Sequence, residues 1–171
     1  MKGERVRLRP ITWDDLGNIA NWRNKAFDSF FGDEYLTAVG QIAWFERYKA
    51  DPTQRLFIVE TEGSPIGCIG LANIDRHHQS ADLGRTLIGI DYERRNGYAL
   101  EAVQILIDYA FKEMNLHRLS LEVFSHNEEA WHLYTAAGFV QEGILREAIW
   151  KGGQWRDVMI MGILRECVCR P

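Results

Sequence analysis

Apolar residues recur along the chain with two different periods, and these periods predict where its helices and strands lie. Residues 5–10 alternate arginine with apolar side chains, as expected of a half-buried strand. Helical spacing follows in 12–24 and again in 37–48, where Ile42 and Phe45 are predicted to be buried. The chain therefore begins with a strand followed by two amphipathic helices.

Strand patterns dominate the rest of the chain, with two further helices among them. A long amphipathic pattern runs from Tyr98 to about Met114, and a short one lies between Asn127 and Gly138. Turns rich in glycine separate several of the strands. The predicted strands are 55–62, 65–73, 81–90, 119–123, 140–150 and 155–164.

This order of elements predicts one mixed sheet. A helix between two strands requires a parallel crossover, whereas the predicted hairpins require antiparallel pairing. We therefore expect an α/β (α+β) fold with a mostly antiparallel, seven-stranded sheet and helices on both faces. The sequence contains no repeat, low-complexity tract or linker, so 1–171 is interpreted as a single domain.

The stretch 90–102 is the first candidate ligand site, because a predicted strand ends and the long helix begins there. A helix N-terminus presents unpaired N–H groups and a partial positive charge, which suit a phosphate. Gly97 would let the backbone approach a ligand, and Arg94 and Arg95 carry complementary charge. The stretch lacks both the Gly-x-Gly-x-x-Gly pattern of dinucleotide-binding loops and the Walker pattern that ends in Gly-Lys-Ser/Thr. An ordinary capped helix start is the alternative interpretation.

Composition argues against several classes of protein. A net charge of −4 is unlike that of a general nucleic-acid binder, and no apolar run approaches the roughly 20 residues that cross a membrane. Cys68, Cys167 and Cys169 are interpreted as reduced thiols of a cytoplasmic protein, since no signal-peptide pattern is present. His77 and His78 have no further ligand at zinc spacing, so no metal site is predicted.

Two motifs resemble signatures of the GNAT N-acetyltransferase superfamily. Arg94-Arg95-Asn96-Gly97-Tyr98-Ala99 fits the Arg/Gln-x-x-Gly-x-Gly/Ala signature, and 127–139 fits Asn-x-x-Ala/Ser-x-x-Leu-Tyr-x-x-x-Gly-Phe at every fixed position. Leu8-Arg9-Pro10 and 142–146 resemble the branch that contains ribosomal-protein alanine and spermidine acetyltransferases. The resemblance covers nearly the whole chain. It implies the GNAT acyl-CoA N-acyltransferase fold and acetyl-CoA as co-substrate.

The resemblance also implies roles for individual residues in direct transfer of an acetyl group from acetyl-CoA to a primary amine. Tyr134 corresponds to the tyrosine that protonates the departing coenzyme A thiolate, with simple packing as the alternative role. The strand near Ile88 would stabilise the oxyanion and pair with the pantetheine arm, and the loop amides would hold the pyrophosphate. The residues expected to bind acetyl-CoA are Leu87, Ile88, Gly89, Arg94, Arg95, Asn96, Gly97, Tyr98, Ala99 and Asn127.

Several residues are candidates for the general base. An alkylamine has a pKa of about 10.4, so it must lose a proton before it attacks. Asp82 lies in the strand that enters the site, and Glu101 lies one turn inside the long helix. Glu122 and His126 are further candidates, and a water chain is an alternative to all four. Asp82 and Glu101 join Tyr134 as the predicted catalytic residues.

The acceptor is not encoded in these motifs, and the more variable parts of the chain are expected to select it. These parts are Trp22, Arg23 and Asn24, the aromatic and acidic loop 27–36, and the final hairpin. The loop is interpreted as a cover over the substrate pocket, with packing onto the core through its phenylalanines as the alternative.

Two features of these segments favour different acceptors. Trp-Arg-Asn resembles acetyltransferases of nucleotide-linked amino sugars, in which Arg23 would meet a phosphate or carboxylate. Pairing of Arg23 with Asp14 or Glu46 is the alternative, and the acidic loop would suit a polyamine. The expected partners are a small-molecule amine or a peptide N-terminus, without nucleic acid or membrane, and a homodimer is the candidate assembly. A non-catalytic acyl-CoA sensor is the competing function.

Overall fold

The computed structural model describes residues 1–89 and 96–168, and its strands form one seven-stranded sheet in the order β1-β2-β3-β4-β5-β7-β6. Neighbouring strands are antiparallel except β4 and β5, which are parallel. The predicted mixed, mostly antiparallel sheet is confirmed. The strands are β1 Arg7–Pro10, β2 Arg55–Thr61, β3 Ser64–Asp75, β4 Ser80–Ile88, β5 Arg118–Phe124, β6 Val140–Lys151 and β7 Gln154–Leu164.

Helices cover both faces of this sheet. They are α1 Leu16–Lys25, α2 Ala38–Ala50, α3 Tyr98–Asp108, α4 Glu128–Ala136 and a terminal turn, α5 Arg165–Val168. A 3-10 turn, Trp13–Asp15, precedes α1, and a π-helical turn, Tyr109–Glu113, extends α3. No helix in the described ranges is both long enough and apolar enough to cross a membrane.

Alternating side chains of the strands supply two separate hydrophobic cores. Phe57 and Val59 pack with α3 and α4 on one face, whereas Leu56 and Ile58 pack with α1 and α2 on the other. This division follows from the two-residue period of a strand. Both faces of the central strands are thereby buried, which explains their nearly continuous apolar sequence.

One predicted core position on α2 is wrong. Ile42 is 42% exposed, whereas the preceding Gln41 is only 5% exposed. The inner face of α2 runs through Gln41, Phe45 and Tyr48, and the Tyr48 hydroxyl accepts the N–H of Leu56. Ile42 is rotated by about 100° from Gln41 around the helix and therefore faces outward.

The parallel strands β4 and β5 separate soon after they begin to pair. Only Ser80, Ala81 and Asp82 of β4 pair with β5, at 118–120. Further along β4 a bulge between Gly84 and Leu87 gives Arg85 a positive φ of 55°. The remaining lengths of the two strands diverge, and a cleft opens between them.

Candidate active site

The cleft between β4 and β5 has a volume of about 490 Å³, and its lining includes Ala99 of the first predicted motif and Asn127 and Tyr134 of the second. Residues 83–88 of β4 form one wall, and Glu122 and Val123 of β5 lie opposite. The beginning of α3, one face of α4 and the segment 25–31 after α1 complete it. The cleft is therefore bordered by two diverging strands, two helices and the segment after α1.

The end of β4 exposes backbone to this cleft. Leu87 and Ile88 line it while pairing with Cys68 and Gly67 of β3. The Gly89 N–H donates to the Ile66 carbonyl at 2.8 Å, so strand alternation directs the Ile88 N–H toward the edge away from β3. That orientation suits a donor to an oxyanion or to an extended ligand.

Gly89 has a packing role that the sequence did not reveal. A Cβ added at this residue would overlap the indole ring of Trp22. The absence of a side chain therefore lets α1 pack directly against the end of β4. Trp22 is itself buried in the α1–α2 core and lies outside the cleft.

Tyr134 is buried on α4, and its side chain lines the cleft opposite β4. Burial raises the pKa of Tyr134 above its ordinary value of 10, and the nearby Thr86 hydroxyl opposes this shift. The Thr86 hydroxyl also lies on the cleft wall. It makes no hydrogen bond of normal geometry among the described residues. A phenol in this environment stays protonated at neutral pH and can donate its proton to an anion formed in the cleft.

Asn127 and Gly97 occupy the starts of the two helices that border the cleft. The Asn127 side chain accepts the Ala130 N–H at 3.1 Å and caps α4, while Asn127 also lines the cleft. Gly97 caps α3 with a positive φ of 80°, which most side chains avoid. Ala99 reaches the cleft wall from the first turn of α3. Arg94 and Arg95 lie outside the described residues.

Arg5 lies beside the start of α3, a position that no sequence pattern indicated. Its guanidinium donates to the Asn96 carbonyl at 2.7 Å and lies 5.3 Å from the centre of the Tyr98 ring. Arg5 also pairs with Glu101 at 3.0 Å. The side chain is about half exposed, and it contacts the start of α3 from the segment before β1, more than ninety residues earlier in the chain. No local motif marks such a contact.

Glu101 is not brought into the cleft. Its carboxylate accepts the N–H groups of Arg5 and Val6 in addition to the Arg5 guanidinium. Partial burial favours the neutral acid, but these hydrogen bonds outweigh it and lower the pKa of Glu101. A carboxylate with a lowered pKa and occupied lone pairs is a poor base, so its geometry favours a structural role.

Asp82 is also held away from the cleft. It lies in the last paired step between β4 and β5, and its carboxylate accepts from Ser120 Oγ and Asn73 Nδ2 at 2.7 Å each. The cleft begins one residue later, at Leu83. This position favours a role in joining β3, β4 and β5.

Glu122 is the base candidate that faces the cleft. It is exposed on β5, on the wall opposite β4 that also carries Val123. His126, the fourth candidate, is exposed and its ring stacks on Phe124, with 5.3 Å between ring centres. Among the four, only Glu122 combines a cleft-lining position with an accessible carboxylate.

The predicted acceptor segment Trp22-Arg23-Asn24 is divided between different surroundings. The Asn24 amide exchanges two hydrogen bonds with the backbone of Leu36, at 2.7 and 2.9 Å, which closes the loop between α1 and α2. Arg23 lies 3.7 Å from the centre of the Phe30 ring, pairs with neither Asp14 nor Glu46, and lines a second cavity beside the cleft. Only Arg23 of the three is placed to contact a ligand.

The loop after α1 both lines the cleft and packs on the core. Phe30 and Phe31 line the cleft, and Phe31 contacts Phe124 edge to face at 4.8 Å. Lys151 of the final hairpin donates to the carbonyls of Phe30 and Gly32 at 2.6 and 2.7 Å. The two interpretations of this loop are therefore compatible.

Comparison with known proteins agrees with this geometry. The chain is 31% identical over 162 residues to spermidine N(1)-acetyltransferase of Escherichia coli (strain K12), covering 94% of this chain and 86% of the relative. It is 31% identical over 163 residues to the Vibrio cholerae enzyme of the same name, covering 94% and 93%. A crystal structure of spermidine N-acetyltransferase from Vibrio cholerae in complex with CoA and spermine superposes with a TM-score of 0.91. That match has 29% identity and covers 98% of this chain and all of the other.

The family model for the acetyltransferase (GNAT) domain matches residues 5–140, which include the cleft, the α3 loop and Tyr134. The Vibrio cholerae structure holds CoA in this fold, and acetyl-CoA is the co-substrate of the family. The same findings support an N-acetyltransferase and give no support to a non-catalytic sensor. The chain belongs to the GNAT acetyltransferase family.

Proposed function

We propose that this N-acetyltransferase acetylates a small aliphatic amine of the polyamine class, which enters the cleft beside 25–31. The observation that carries the proposal is the set of carboxylates that line the cleft: Asp28, Glu122 and Glu129. Lys25 and Arg85 line it as well, so acidic groups outnumber basic ones. The spermidine acetyltransferases among the relatives support the same acceptor class.

The proposed reaction begins with removal of a proton from the acceptor. The protonated amine would lose it to Glu122, directly or through a water, because Glu122 is the accessible carboxylate on the cleft wall. The neutral nitrogen would then attack the thioester carbonyl carbon that acetyl-CoA supplies. Formation of the C–N bond places negative charge on the carbonyl oxygen, and the backbone near Ile88, which lines the cleft, would stabilise it.

The proposed reaction ends at Tyr134. When the C–S bond breaks, the electron pair remains on sulfur as a thiolate, and the buried Tyr134 phenol would donate its proton to it. The helix starts at Gly97 and Asn127 suit the phosphates and the amide groups of the coenzyme. The nitrogen would lose its second proton as the tetrahedral intermediate collapses, that proton would restore the Tyr134 phenol, and Glu122 would release its proton to solvent.

Self-association is a further part of the proposal. One edge of the sheet is β6, and exposed apolar residues lie along this strand and beside its turn with β7. One structural relative, a spermidine N-acetyltransferase from Vibrio cholerae with TM-score 0.84 and 29% identity, is described as dodecameric. Light scattering would separate a homodimer from larger assemblies. The exposed residues concerned are Val140, Ile144, Leu145, Trp150 and Trp155.

We also place the enzyme in the cytoplasm. The free thiol of Cys68, buried beside β4, is consistent with a reducing compartment.

The acceptor is tested by acetyl-CoA-dependent release of free thiol with a panel of amines. The panel contains spermidine, spermine, amino sugars, amino acids and peptides with free N-termini. Turnover with the polyamines at lower KM than with the other classes is the expected result. Turnover with peptides alone, or only with amines that carry an acidic group, would overturn the polyamine assignment and leave the acetyl transfer intact.

A further inference from the structure

A second cavity, also about 490 Å³, lies between α1, α2 and β4, behind the bulge of β4. Its walls include Arg23 of α1, Gln41 and Trp44 of α2, and Arg85 of the bulge. We propose that this cavity is an anion-binding site that takes a carboxylate or a phosphate group. The inference goes beyond the proposed function and does not depend on it.

Two half-buried arginines in the cavity lack an ion pair with any carboxylate in the described ranges. Arg23 stacks its guanidinium on Phe30, with 3.7 Å to the ring centre. Arg85 donates to the neutral side-chain amide of Gln54 at 2.9 Å, and its guanidinium lies 5.3 Å from the Trp44 ring centre. Gln54 in turn donates to the Asp51 carboxylate at 2.6 Å, so Asp51 is linked to Arg85 through Gln54.

Cys68, which also lines the cavity, does not neutralise the positive charge of these arginines. Burial raises the pKa of the Cys68 thiol to about 12, so the group is uncharged at neutral pH. The thiol accordingly donates to the Arg85 carbonyl at 3.4 Å. Burial also lowers the pKa of Arg23, and the charge of Arg85 acts in the same direction. Two desolvated cations close to one another are unfavourable unless an anion joins them.

Gln41 supplies a third donor that has no partner. This residue is almost fully buried, lines the same cavity, and its side-chain nitrogen makes no hydrogen bond within the described ranges. A buried amide without a partner is costly, and a bound acceptor would remove that cost. Two guanidinium groups and one amide form a donor set that matches the oxygens of a carboxylate or phosphate.

The charged residues at the mouth of the cavity do not cancel the positive charge of Arg23 and Arg85 inside it. Glu34 and Arg47 both line it and both are exposed, so they offset one another in solvent. Inside, the charges are those of Arg23 and Arg85. An anion therefore gains most when it passes the rim and reaches the guanidinium groups.

The cavity and the catalytic cleft share Arg85, which lines both. Arg85 is followed by Thr86, on the wall that faces Tyr134. An anion bound to Arg85 would thus lie next to the strand that presents its backbone to the thioester. Two sources of the bound anion would supply the same chemistry: an acidic group on the acceptor itself, or a separate free anion.

Anion binding is tested with the CoA-saturated protein, so that the phosphates of the coenzyme already occupy the α3 loop. Inorganic phosphate and citrate would be titrated by calorimetry against the wild-type protein, Arg23→Gln, Gln41→Met and a control, Lys49→Gln. Lys49 is an exposed cation of α2 outside the cavity, so its loss makes the same change in net charge as Arg23→Gln. Saturable binding by the wild type and Lys49→Gln, weakened about tenfold or more in Arg23→Gln, is expected.

Gln41→Met keeps the proposal falsifiable if an arginine variant fails to fold. It removes the unpaired donor, so the protein should unfold at the same or a higher temperature while anion affinity falls. Absence of saturable binding by the wild type, or equal affinity in Arg23→Gln, Gln41→Met and Lys49→Gln, would overturn the proposal.

Kinetics then separate the two sources. If the anion belongs to the acceptor, Arg23→Gln raises the KM of acid-bearing amines about tenfold more than that of spermidine. If the anion is a separate ligand, phosphate changes the rate of spermidine acetylation in the wild type and not in Arg23→Gln. Absence of anion binding by the wild type, with its spermidine acetylation intact, overturns this inference alone, whereas anion binding by the wild type without any polyamine turnover overturns only the acceptor assignment above.

Discussion

The ammonium group of Lys151 donates a 2.6 Å hydrogen bond to the carbonyl of Phe30, which links the final hairpin to the loop that lines the cleft. A second bond to the Gly32 carbonyl measures 2.7 Å, and the Lys151 side chain is only 7% exposed. Lys151 also lies 4.1 Å from the centre of the Phe27 ring. Two segments predicted separately to select the acceptor are therefore joined through one buried cation.

Lys151→Met should loosen this loop without touching the coenzyme side. The Phe30 and Gly32 carbonyls lose charged hydrogen bonds worth about 1.5–3 kcal/mol each in other proteins. We expect the acceptor KM to rise about tenfold, which corresponds to about 1.4 kcal/mol of binding, with an unchanged Kd for acetyl-CoA. Steady-state kinetics and calorimetry measure the two quantities. Lys49→Met, at an exposed lysine of α2, is the control, and equal effects of both variants would refute the link.

Tyr134→Phe removes the phenol proton while keeping the ring in the α4 core. Because a general acid contributes on the order of 10²–10⁴-fold, kcat should fall by about 10² or more with little change in acetyl-CoA affinity. Thiol release under saturating substrates measures kcat. Tyr109→Phe is the matched control and should keep its activity. Tyr109 lies in the π-helical turn after α3, where its ring packs against the core in edge contact with Phe57. Full turnover by Tyr134→Phe would remove the assigned acid role.

Glu122→Gln tests the base and should be compared with Glu101→Gln. We expect Glu122→Gln to lower kcat/KM by about 10², because the accepting carboxylate is gone. Glu101→Gln should instead lower the free energy of unfolding by about 1 kcal/mol, because it weakens the bonds to Arg5 and Val6. A reversed pattern, with the rate loss in Glu101→Gln, would return the base role to α3.

Gly97→Val tests the start of α3. A φ of 80° costs a residue with a side chain about 1–2 kcal/mol, and the new Cβ would lie 3.1 Å from the Arg5 guanidinium. We expect the affinity for acetyl-CoA to fall at least about tenfold in a calorimetric titration. Gly63→Val is the control: its φ of 78° implies similar strain, but it lies in open space in the β2–β3 turn. An equal fall in acetyl-CoA affinity in both variants would show that backbone strain alone, and not the position of Gly97, is responsible.

Asp15→Asn should destabilise the protein in a pH-dependent way. The buried Asp15 carboxylate accepts two hydrogen bonds from Arg9, at 2.6 and 2.8 Å, as well as the N–H of Thr12. Burial opposes ionisation, but these bonds outweigh it and lower the pKa of Asp15 below its ordinary 3.8. Removing one partner of such a pair should cost about 3 kcal/mol at pH 7.

The pH dependence follows from the direction of that shift. The contribution of Asp15 is complete above its unfolded-state pKa and is lost as the pH falls through the lower folded-state pKa. The difference in unfolding free energy between wild type and Asp15→Asn should therefore shrink in acid. Urea unfolding at several pH values measures it. Asp14→Asn, at the exposed neighbour, should differ little from wild type at any pH, and a pH-independent Asp15→Asn effect would contradict the argument.

The sequence by itself determined the order of elements, the mixed sheet and the two motifs that meet in the cleft. These features depend on short-range periodicity and on contiguous residues, such as the capped start of α4 that carries Tyr134. The tertiary structure decided which carboxylate faces the ligand. Glu101 is held by Arg5 and Asp82 by Ser120, partners distant in the chain, while the divergence of β4 and β5 leaves Glu122 on the cleft wall. Hydrogen bonds across long sequence separations fix those positions, and no local pattern records them.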